Sequence, residues 1–182
     1  MYEVNERNDN PNAELLSVYT KIGVDKRANL EEKGNKASTV INYKIVKKKD
    51  LIVNKLLAWM GAYGISEYEG VTSPDYDVYR FREGSYPKFY HYYFRHSDFK
   101  NDCYKNGHGI MLMRWRTYSD ELLNIVVPHP SYLEQIKIAN QLDNIFGKLD
   151  KILEYRQRII DKLEEYRKSL IYEVVTGEKE IC

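Results

Sequence analysis

The last third of the chain begins Pro128-His129-Pro130-Ser131-Tyr132-Leu133-Glu134-Gln135 and closes with Val174-Val175-Thr176-Gly177, and a heptad pattern connects the two. With Leu142 as position a, apolar residues recur every three to four positions, which is typical of a helix that packs along another helix. The predicted seam consists of Leu142, Ile145, Leu149, Ile152, Arg156, Ile159, Leu163, Tyr166 and Leu170. Phe146, Leu153 and Ile160 widen this stripe, so the pattern predicts one helix over residues 131–177.

Both ends of this predicted helix carry capping signals. Ser131 and Glu134 have the spacing of a capping box, in which each side chain accepts a hydrogen bond from the other residue's backbone N–H. Gly177 can take the left-handed conformation that ends a helix. Gly147 is the one residue that weakens the pattern, by about 1 kcal/mol relative to alanine.

Such a helix would be about 65 Å long at 1.5 Å per residue. A small domain cannot cover an apolar stripe of that length, so we expect a partner helix. Arg156 at an a position would either set the register of the pair or extend its charged end to solvent, and the pattern leaves both open.

The charge distribution points to a polyanionic partner. The 182 residues carry a net charge of only +1, but residues 20–55 and 86–118 are rich in Lys and Arg. Two basic stretches in a near-neutral protein suggest a localised positive field, although a run such as Lys47-Lys48-Lys49 is also compatible with a solvated surface.

The expected cellular compartment is inferred from the cysteine spacing and from the lack of an apolar segment. Cys103 and Cys182 are far apart and do not have the spacing of a metal site or a disulfide framework. The first residues contain no apolar signal core, and no window approaches 18 apolar residues. We therefore expect a cytoplasmic protein without a membrane segment.

The remaining chain predicts a mostly β domain with short helices, so that the whole is an α+β fold followed by the long helix. Strands are predicted at 14–20, 39–43, 51–54, 77–81, 110–113 and 124–127, with a charged loop over 21–36. Helices are predicted from Ser85-Tyr86-Pro87, from Ser97 to Asn106-Gly107, and for one turn at Ser119.

Catalytic patterns in the chain are weak. Pro74-Asp75 followed by Asp98 and Lys100 is similar to a metal-nuclease pattern, in which two carboxylates hold Mg²⁺ and a lysine polarises water. Ser73-Pro74-Asp75-Tyr76 departs from the amino-methyltransferase tetrad at Asp75, and no glycine-rich nucleotide loop accompanies it. The metal nuclease is kept as an alternative and the methyltransferase is rejected.

Nucleic-acid binding has more support. Ten of the seventeen tyrosines fall between Tyr63 and Tyr118, interleaved with arginines, and these are the residue types that stack on bases and pair with phosphates or guanine. Many of these tyrosines must also serve as core. The candidate DNA contacts are Lys21, Asn54, Lys55, Trp59, Tyr63, Arg95, Arg114 and Arg116.

Three stretches resemble one family. Asn54-Lys55-Leu56-Leu57-Ala58-Trp59-Met60-Gly61-Ala62-Tyr63-Gly64, leading into Gly70-Val71-Thr72-Ser73-Pro74-Asp75-Tyr76, resembles the target-recognition domains of Type I restriction-modification specificity subunits. Pro128-x-Pro130-Ser131-x-x-Glu134-Gln135-x-x-Ile138-Ala139 and Lys168 to Gly177 resemble the opening and close of that family's spacer helix. The resemblance covers nearly the whole chain.

The resemblance implies a DNA reader that performs no catalysis and holds no cofactor. Methylase subunits would dock on it and bind S-adenosylmethionine, and restriction subunits, which use ATP and Mg²⁺, would join the full complex. The family pairs two such helices antiparallel, so the long helix is expected to pair with a second copy or another half-subunit. A coiled-coil scaffold without DNA affinity is a further alternative.

The resemblance also sets the expected domain division. Residues 1–130 would be the recognition domain, 131–177 the spacer helix and 178–182 a tail. The chain has one domain and one helix where the family has two of each, and it begins without the family's Trp-containing opening. A fragment, a split gene product and a natural half-subunit all remain open.

Overall fold

The apolar run Leu51-Ile52-Val53 lies at the centre of the structure. The structure is a computed structural model, and it describes residues 1–29, 39–111 and 114–179. Over these ranges the chain forms eight strands, which make one four-stranded sheet and two two-stranded sheets. The strands are β1 Tyr2–Glu3, β2 Leu16–Tyr19, β3 Gly23–Lys26, β4 Lys44–Val46, β5 Leu51–Asn54, β6 Tyr63–Ile65, β7 Gly70–Thr72 and β8 Tyr76–Arg80.

The larger sheet is antiparallel, with the strand order β1-β8-β5-β6. Its central residue Ile52 lies between Gly64 on β6 and Val78 on β8. The other strands form the antiparallel pairs β2–β3 and β4–β7, which a parallel bridge between Leu15 and Val71 connects.

Strand β5 is buried on both of its faces, which is why its sequence is a continuous apolar run rather than an alternating one. Leu51 and Val53 belong to one core cluster, and Ile52 points into the other. Since side chains alternate along a strand, the sheet separates two apolar layers.

Three short helices cover the apolar layer that contains Leu51 and Val53. They are α1 Pro87–Arg95, α2 Ser97–Asn106 and α3 Ser119–Leu123. Helix α1 begins with proline in its first turn, as the sequence predicts, and buries Phe89, Tyr90 and Phe94. Phe94 packs on Phe99 of α2 with ring centroids 4.3 Å apart. Burial raises the pKa of the neighbouring Cys103 thiol to about 12, so this cysteine is an apolar core residue.

Most predicted elements are confirmed. Strands β2, β5 and β8 lie within two residues of their predicted positions, and all three predicted short helices are present. The loop predicted over 21–36 contains strand β3 instead at Gly23–Lys26, and its part from 30 to 36 lies outside the described residues.

The strand predicted at 39–43 is wrong. The chain turns there, with Asn42 at a positive φ of 64° and its N–H donating to the Asn8 carbonyl over 2.7 Å. Pairing with β7 starts only at Lys44. The β-branched residues before the turn therefore gave a misleading strand signal.

The strand predicted at 124–127 is also wrong. The N–H groups of Asn124 and Ile125 donate to Asp120 and Leu122, so this segment continues the turn that α3 begins. Within the predicted strand at 110–113, Ile110 and Met111 form a bend, and positions 112 and 113 lie outside the described residues.

The long helix is confirmed as α4, Tyr132–Val175. The capping box forms as predicted: the Ser131 N–H donates to the Glu134 carboxylate over 3.0 Å, and the Glu134 N–H lies 3.4 Å from the Ser131 Oγ. The Ser131 hydroxyl also donates to the Glu134 carboxylate over 2.7 Å, and this bond, together with that from the Ser131 N–H, lowers the pKa of the Glu134 carboxyl. Gly177 follows the helix at a φ of +78°.

Compactness divides the chain into two units, Met1–Ala139 and Asn140–Cys182. The first unit includes the start of α4, because Gln135 and Ala139 are fully buried there. The Gln135 carboxamide accepts from the Tyr86 N–H over 2.7 Å and donates to the carbonyls of Gly84 (3.1 Å) and Pro130 (2.8 Å).

The second unit is helical, and the predicted seam lies on its surface. Its seam residues Ile145, Leu149, Ile152, Ile159, Leu163 and Tyr166 are 41% to 60% exposed. Exposed apolar side chains at this spacing along one face of a helix are typical of a surface that packs against another helix. None of the helices in the described part of the chain has the length and apolar character needed to cross a membrane.

We predict that Gln135→Ala lowers the free energy of unfolding of the first unit by about 1–3 kcal/mol, because three backbone groups lose their partner. Both tryptophans, Trp59 and Trp115, lie in this unit, so urea denaturation followed by tryptophan fluorescence measures it. Gln141→Ala, at an exposed position of the same helix, is the matched control. Equal unfolding midpoints for the two variants would contradict the prediction.

Candidate nucleic-acid interface

The connection between β5 and β6, residues 55–61, is called here the recognition ridge, after the target-recognition domains that its sequence resembles. The Asn54 side chain initiates it by accepting from the Leu56 N–H over 3.1 Å. A short 3-10 turn at Ala58–Met60 follows, and Gly61 ends it at a φ of +92°. That left-handed conformation explains the glycine at this position.

A groove of about 410 Å³ lies on one flank of the recognition ridge, and two of the candidate arginines line it. Arg114 and Arg116 are both exposed. The groove, called here the arginine groove, is lined by Leu56, His108, Gly109, Ile110, Arg114, Arg116 and Tyr118. None of these seven residues is acidic and two are arginines, so the groove offers guanidinium groups to an anion, although Glu121 lies beside it and pairs with His108.

The segment that carries the arginines, residues 107–111 and 114–118, is called here the Trp115 loop. Its two arms are joined by backbone hydrogen bonds between His108 and Arg116, of 2.9 and 3.0 Å. The Thr117 N–H donates to the Lys55 carbonyl over 3.0 Å, and its Oγ1 donates to the Cys103 carbonyl over 2.8 Å. The loop is therefore attached to both the ridge and α2.

Aromatic contacts hold the same region together. Trp115 stacks on Tyr104 with ring centroids 5.1 Å apart, and its indole N–H donates to the Tyr104 carbonyl over 3.1 Å. On the ridge, Trp59 lies 6.2 Å from the same tyrosine ring. Trp59 is therefore a half-buried packing residue at the edge of this surface.

A second depression, of about 280 Å³, lies at the other end of the ridge and contains Arg95. Its guanidinium approaches the Thr20 carbonyl at 3.4 Å, and Met60 and Lys100 also line the depression. Burial lowers the pKa of Arg95. Lys21 is exposed in the neighbouring β2–β3 turn. Arg95 thus lies beside the turn that carries Lys21.

Two candidate contacts are interior residues in this structure. Tyr63 is 2% exposed and packs edge-on against Phe94 and Phe99, and burial raises its pKa. Asn54 is 6% exposed and is occupied by capping the ridge. Each side chain reaches the surface only as part of the lining of a depression: Tyr63 lines the depression that contains Arg95, and Asn54 lines a groove with Asp75.

Lys55 has part of its charge compensated. Its Nζ lies 3.4 Å from the Asp77 carboxylate, which also receives the buried Lys44 at 2.8 Å. Because Asp77 is buried between two lysines, the pair fixes the start of the ridge to β8. A partner of Lys55 would have to compete with this ion pair.

The residues of the metal-nuclease alternative lie in different surroundings. Asp98 pairs with His96 at 3.3 Å at the start of α2. Asp75 lies in a groove with Arg27, Asn54 and Tyr76. Across the described ranges 1–29, 39–111 and 114–179, no group of three or more His, Cys, Asp or Glu side chains is placed to hold a metal ion.

Sequence reasoning did not select Tyr104 or His108 as site residues. Tyr104 is 44% exposed and joins the tryptophans of the ridge and the loop. Helical spacing could have identified Tyr104 as a surface residue. Phe99 and Cys103 form the buried face of α2, and Tyr104, which follows Cys103, points away from that face. His108 pairs with Glu121, and no local sequence pattern predicts this contact.

In a comparison with solved structures, the chain is similar to the crystal structure of the HsdS subunit from Thermoanaerobacter tengcongensis, with a TM-score of 0.65 and 16% identity. The similarity covers 96% of this chain and 46% of the HsdS chain, so this chain spans about half the length of that protein. At this identity the similarity establishes the fold. Neither a protein-family model nor a curated protein sequence matches the chain.

We predict that Arg114→Ala and Arg116→Ala each lower the affinity for duplex DNA several-fold and reduce the slope of log K against log salt by about 1 per lost phosphate contact. Arg158→Ala, on the exposed surface of α4, is the control and should leave both quantities unchanged. Fluorescence anisotropy at several salt concentrations measures them. Unchanged slopes for both groove variants would contradict the assignment of the arginine groove.

Proposed function

We propose that this chain is a DNA-reading specificity subunit of a Type I restriction-modification complex, in a half-length form with one target-recognition domain. The observation that carries the proposal is the structural similarity, which covers almost all of this chain and about half of the HsdS chain. HsdS is the specificity subunit of such systems. The sequence resemblance in the ridge and in the spacer helix points to the same family.

The recognition ridge and its flanks support a DNA-binding role for the first unit. The arginine groove combines exposed guanidinium groups with apolar and aromatic side chains and has no acidic lining residue. Arginine binds phosphates and guanine with paired hydrogen bonds, and apolar groups contact base edges. Phosphate contacts would position the subunit, and base contacts in the same groove would select the sequence.

Helix α4 supports pairing of two subunits. Its exposed seam has the spacing of a coiled coil, and a second copy of the helix supplies a complementary stripe in the antiparallel arrangement that the resemblance implies. A homodimer would carry two identical reading domains related by a twofold axis, and its target would then be an interrupted palindrome. Pairing with a different half-subunit would give two unlike half-sites.

In this proposal the chain performs no catalysis and holds no cofactor. Methylase subunits docked on the spacer helix bind S-adenosylmethionine and modify the site, and restriction subunits use ATP and Mg²⁺ in the full complex. The complex acts on double-stranded DNA in the cytoplasm. A scaffold that only pairs through α4 would lack the DNA affinity that this division of labour requires.

We predict that cells expressing this chain with its methylase acquire methylation at one interrupted motif, because the subunit selects the site for the enzyme. Sequencing of methylated positions in the genome gives the motif, its spacing and its symmetry. A strain with the methylase alone is the control. No methylated motif, combined with no gel shift of duplex DNA at low salt by the methylase complex, would refute the proposed reader and leave the scaffold.

We also predict that Leu163→Asp disrupts self-association, because it places a charge in the apolar seam. Sedimentation velocity should show a shift from dimer to monomer at micromolar concentration, while circular dichroism shows that the helices are retained. Lys168→Asp puts the same side chain on the opposite side of α4 and should leave the dimer intact. An unchanged oligomer for Leu163→Asp would contradict the seam.

A further inference from the structure

The tip of the Trp115 loop exposes apolar side chains where a soluble surface would carry polar ones. Ile110 is 93% exposed and Met111 is 56% exposed, and they follow directly on Gly109. Neither side chain adds much to the core, so packing against the described residues does not explain their apolar character. Two adjacent exposed apolar residues beside two arginines form a candidate binding surface.

The tip is held by a rigid base. The His108–Arg116 backbone pair closes the loop, and the stack of Trp115 on Tyr104 fixes one arm to α2. Gly107 lies so close to the indole that an added Cβ would come within 2.6 Å of the Trp115 Nε1. These contacts anchor both arms of the loop before binding, which lowers the ordering cost of a complex.

The charges beside the tip identify the class of partner. Ile110 lines the arginine groove together with Arg114 and Arg116, and the imidazole of His108 is already paired with Glu121. An apolar tip beside two arginines is complementary to a surface on which anions lie next to an apolar group. The major groove of duplex DNA has this pattern, since phosphates flank a floor on which the 5-methyl group of thymine is the apolar feature.

We infer that Ile110 and Met111 are specificity-determining residues that contact thymine methyl groups in the major groove, while Arg114 and Arg116 bind the adjacent phosphates. The inference rests on the proposed function and adds the chemical basis of selection to it. It separates two roles within one loop: the arginines supply affinity for any duplex, and the tip supplies preference for A·T pairs at defined positions.

The experiment uses the full chain, co-purified with its methylase, and a pool of randomised duplexes that is sequenced after binding. The wild type should enrich a motif that contains A·T pairs at fixed positions. Ile110→Ser should lose the preference at one or more of those positions and bind the enriched site about 10-fold more weakly, which corresponds to the loss of a buried isoleucine. Val126→Ser, at another apolar position that is 89% exposed, is the matched control and should enrich the unchanged motif.

A second arm tests the methyl group itself. Replacing the critical thymines of the enriched site by uracil removes only the methyl, and should weaken wild-type binding by about 3- to 5-fold per buried methyl group. The same replacement should have no effect on Ile110→Ser. Both results together would establish the contact, because the effects of the two changes would not add.

The outcomes distinguish the two proposals. If the wild type enriches no motif, the proposed reader function fails and the tip assignment fails with it. If the wild type enriches a motif that Ile110→Ser and Met111→Ser also enrich with unchanged affinity, the reader stands and the tip assignment is overturned. The tip would then be a contact for another protein. Unchanged wild-type affinity for the uracil site would also overturn it.

Discussion

The burial of β5 on both faces is the constraint from which the rest of the first unit follows. Leu51, Ile52 and Val53 are fully buried, so each face of the strand needs its own apolar cover. Aromatic residues of α1 and α2 supply one layer, and the strands β2 and β4 contribute to the other. After Asn54, where β5 ends, the chain leaves the space between the two layers and forms the recognition ridge.

The polar groups around that edge are placed by the same constraint. Asp77 and Asp50 are buried and each is matched by cations, Lys44 and Lys55 in one case and a two-point contact with Arg80 in the other. Paired in this way, they join the sheet to its neighbours without leaving a lone buried charge. The free positive charge of the domain is thereby confined to side chains outside the core, including Arg114 and Arg116.

The sequence predicted the parts whose signal is local. Heptad spacing and the Ser131–Glu134 box were sufficient for α4, and the run at Leu51 was sufficient for the central strand. The sequence was misleading where strand formation depends on a partner that is distant in the chain. Val126 lies in a β-branched run, but within the described residues no strand pairs with it. In the candidate site, Arg114 and Arg116 could be predicted from their charge. Residue type alone could not distinguish exposed aromatic residues from Tyr63, whose side chain is buried in the core.

The Trp115 loop separates the residues that hold it from the residues it displays. Trp115, Thr117 and Tyr104 make the anchoring contacts, whereas Ile110 makes almost none and is 93% exposed. Substitutions at the tip therefore carry little penalty in folding stability, since a surface position away from packing or capping contacts is nearly neutral. Such a loop is an evolvable element. A lineage can explore new side chains at its tip, one mutation at a time, on a scaffold that stays folded throughout.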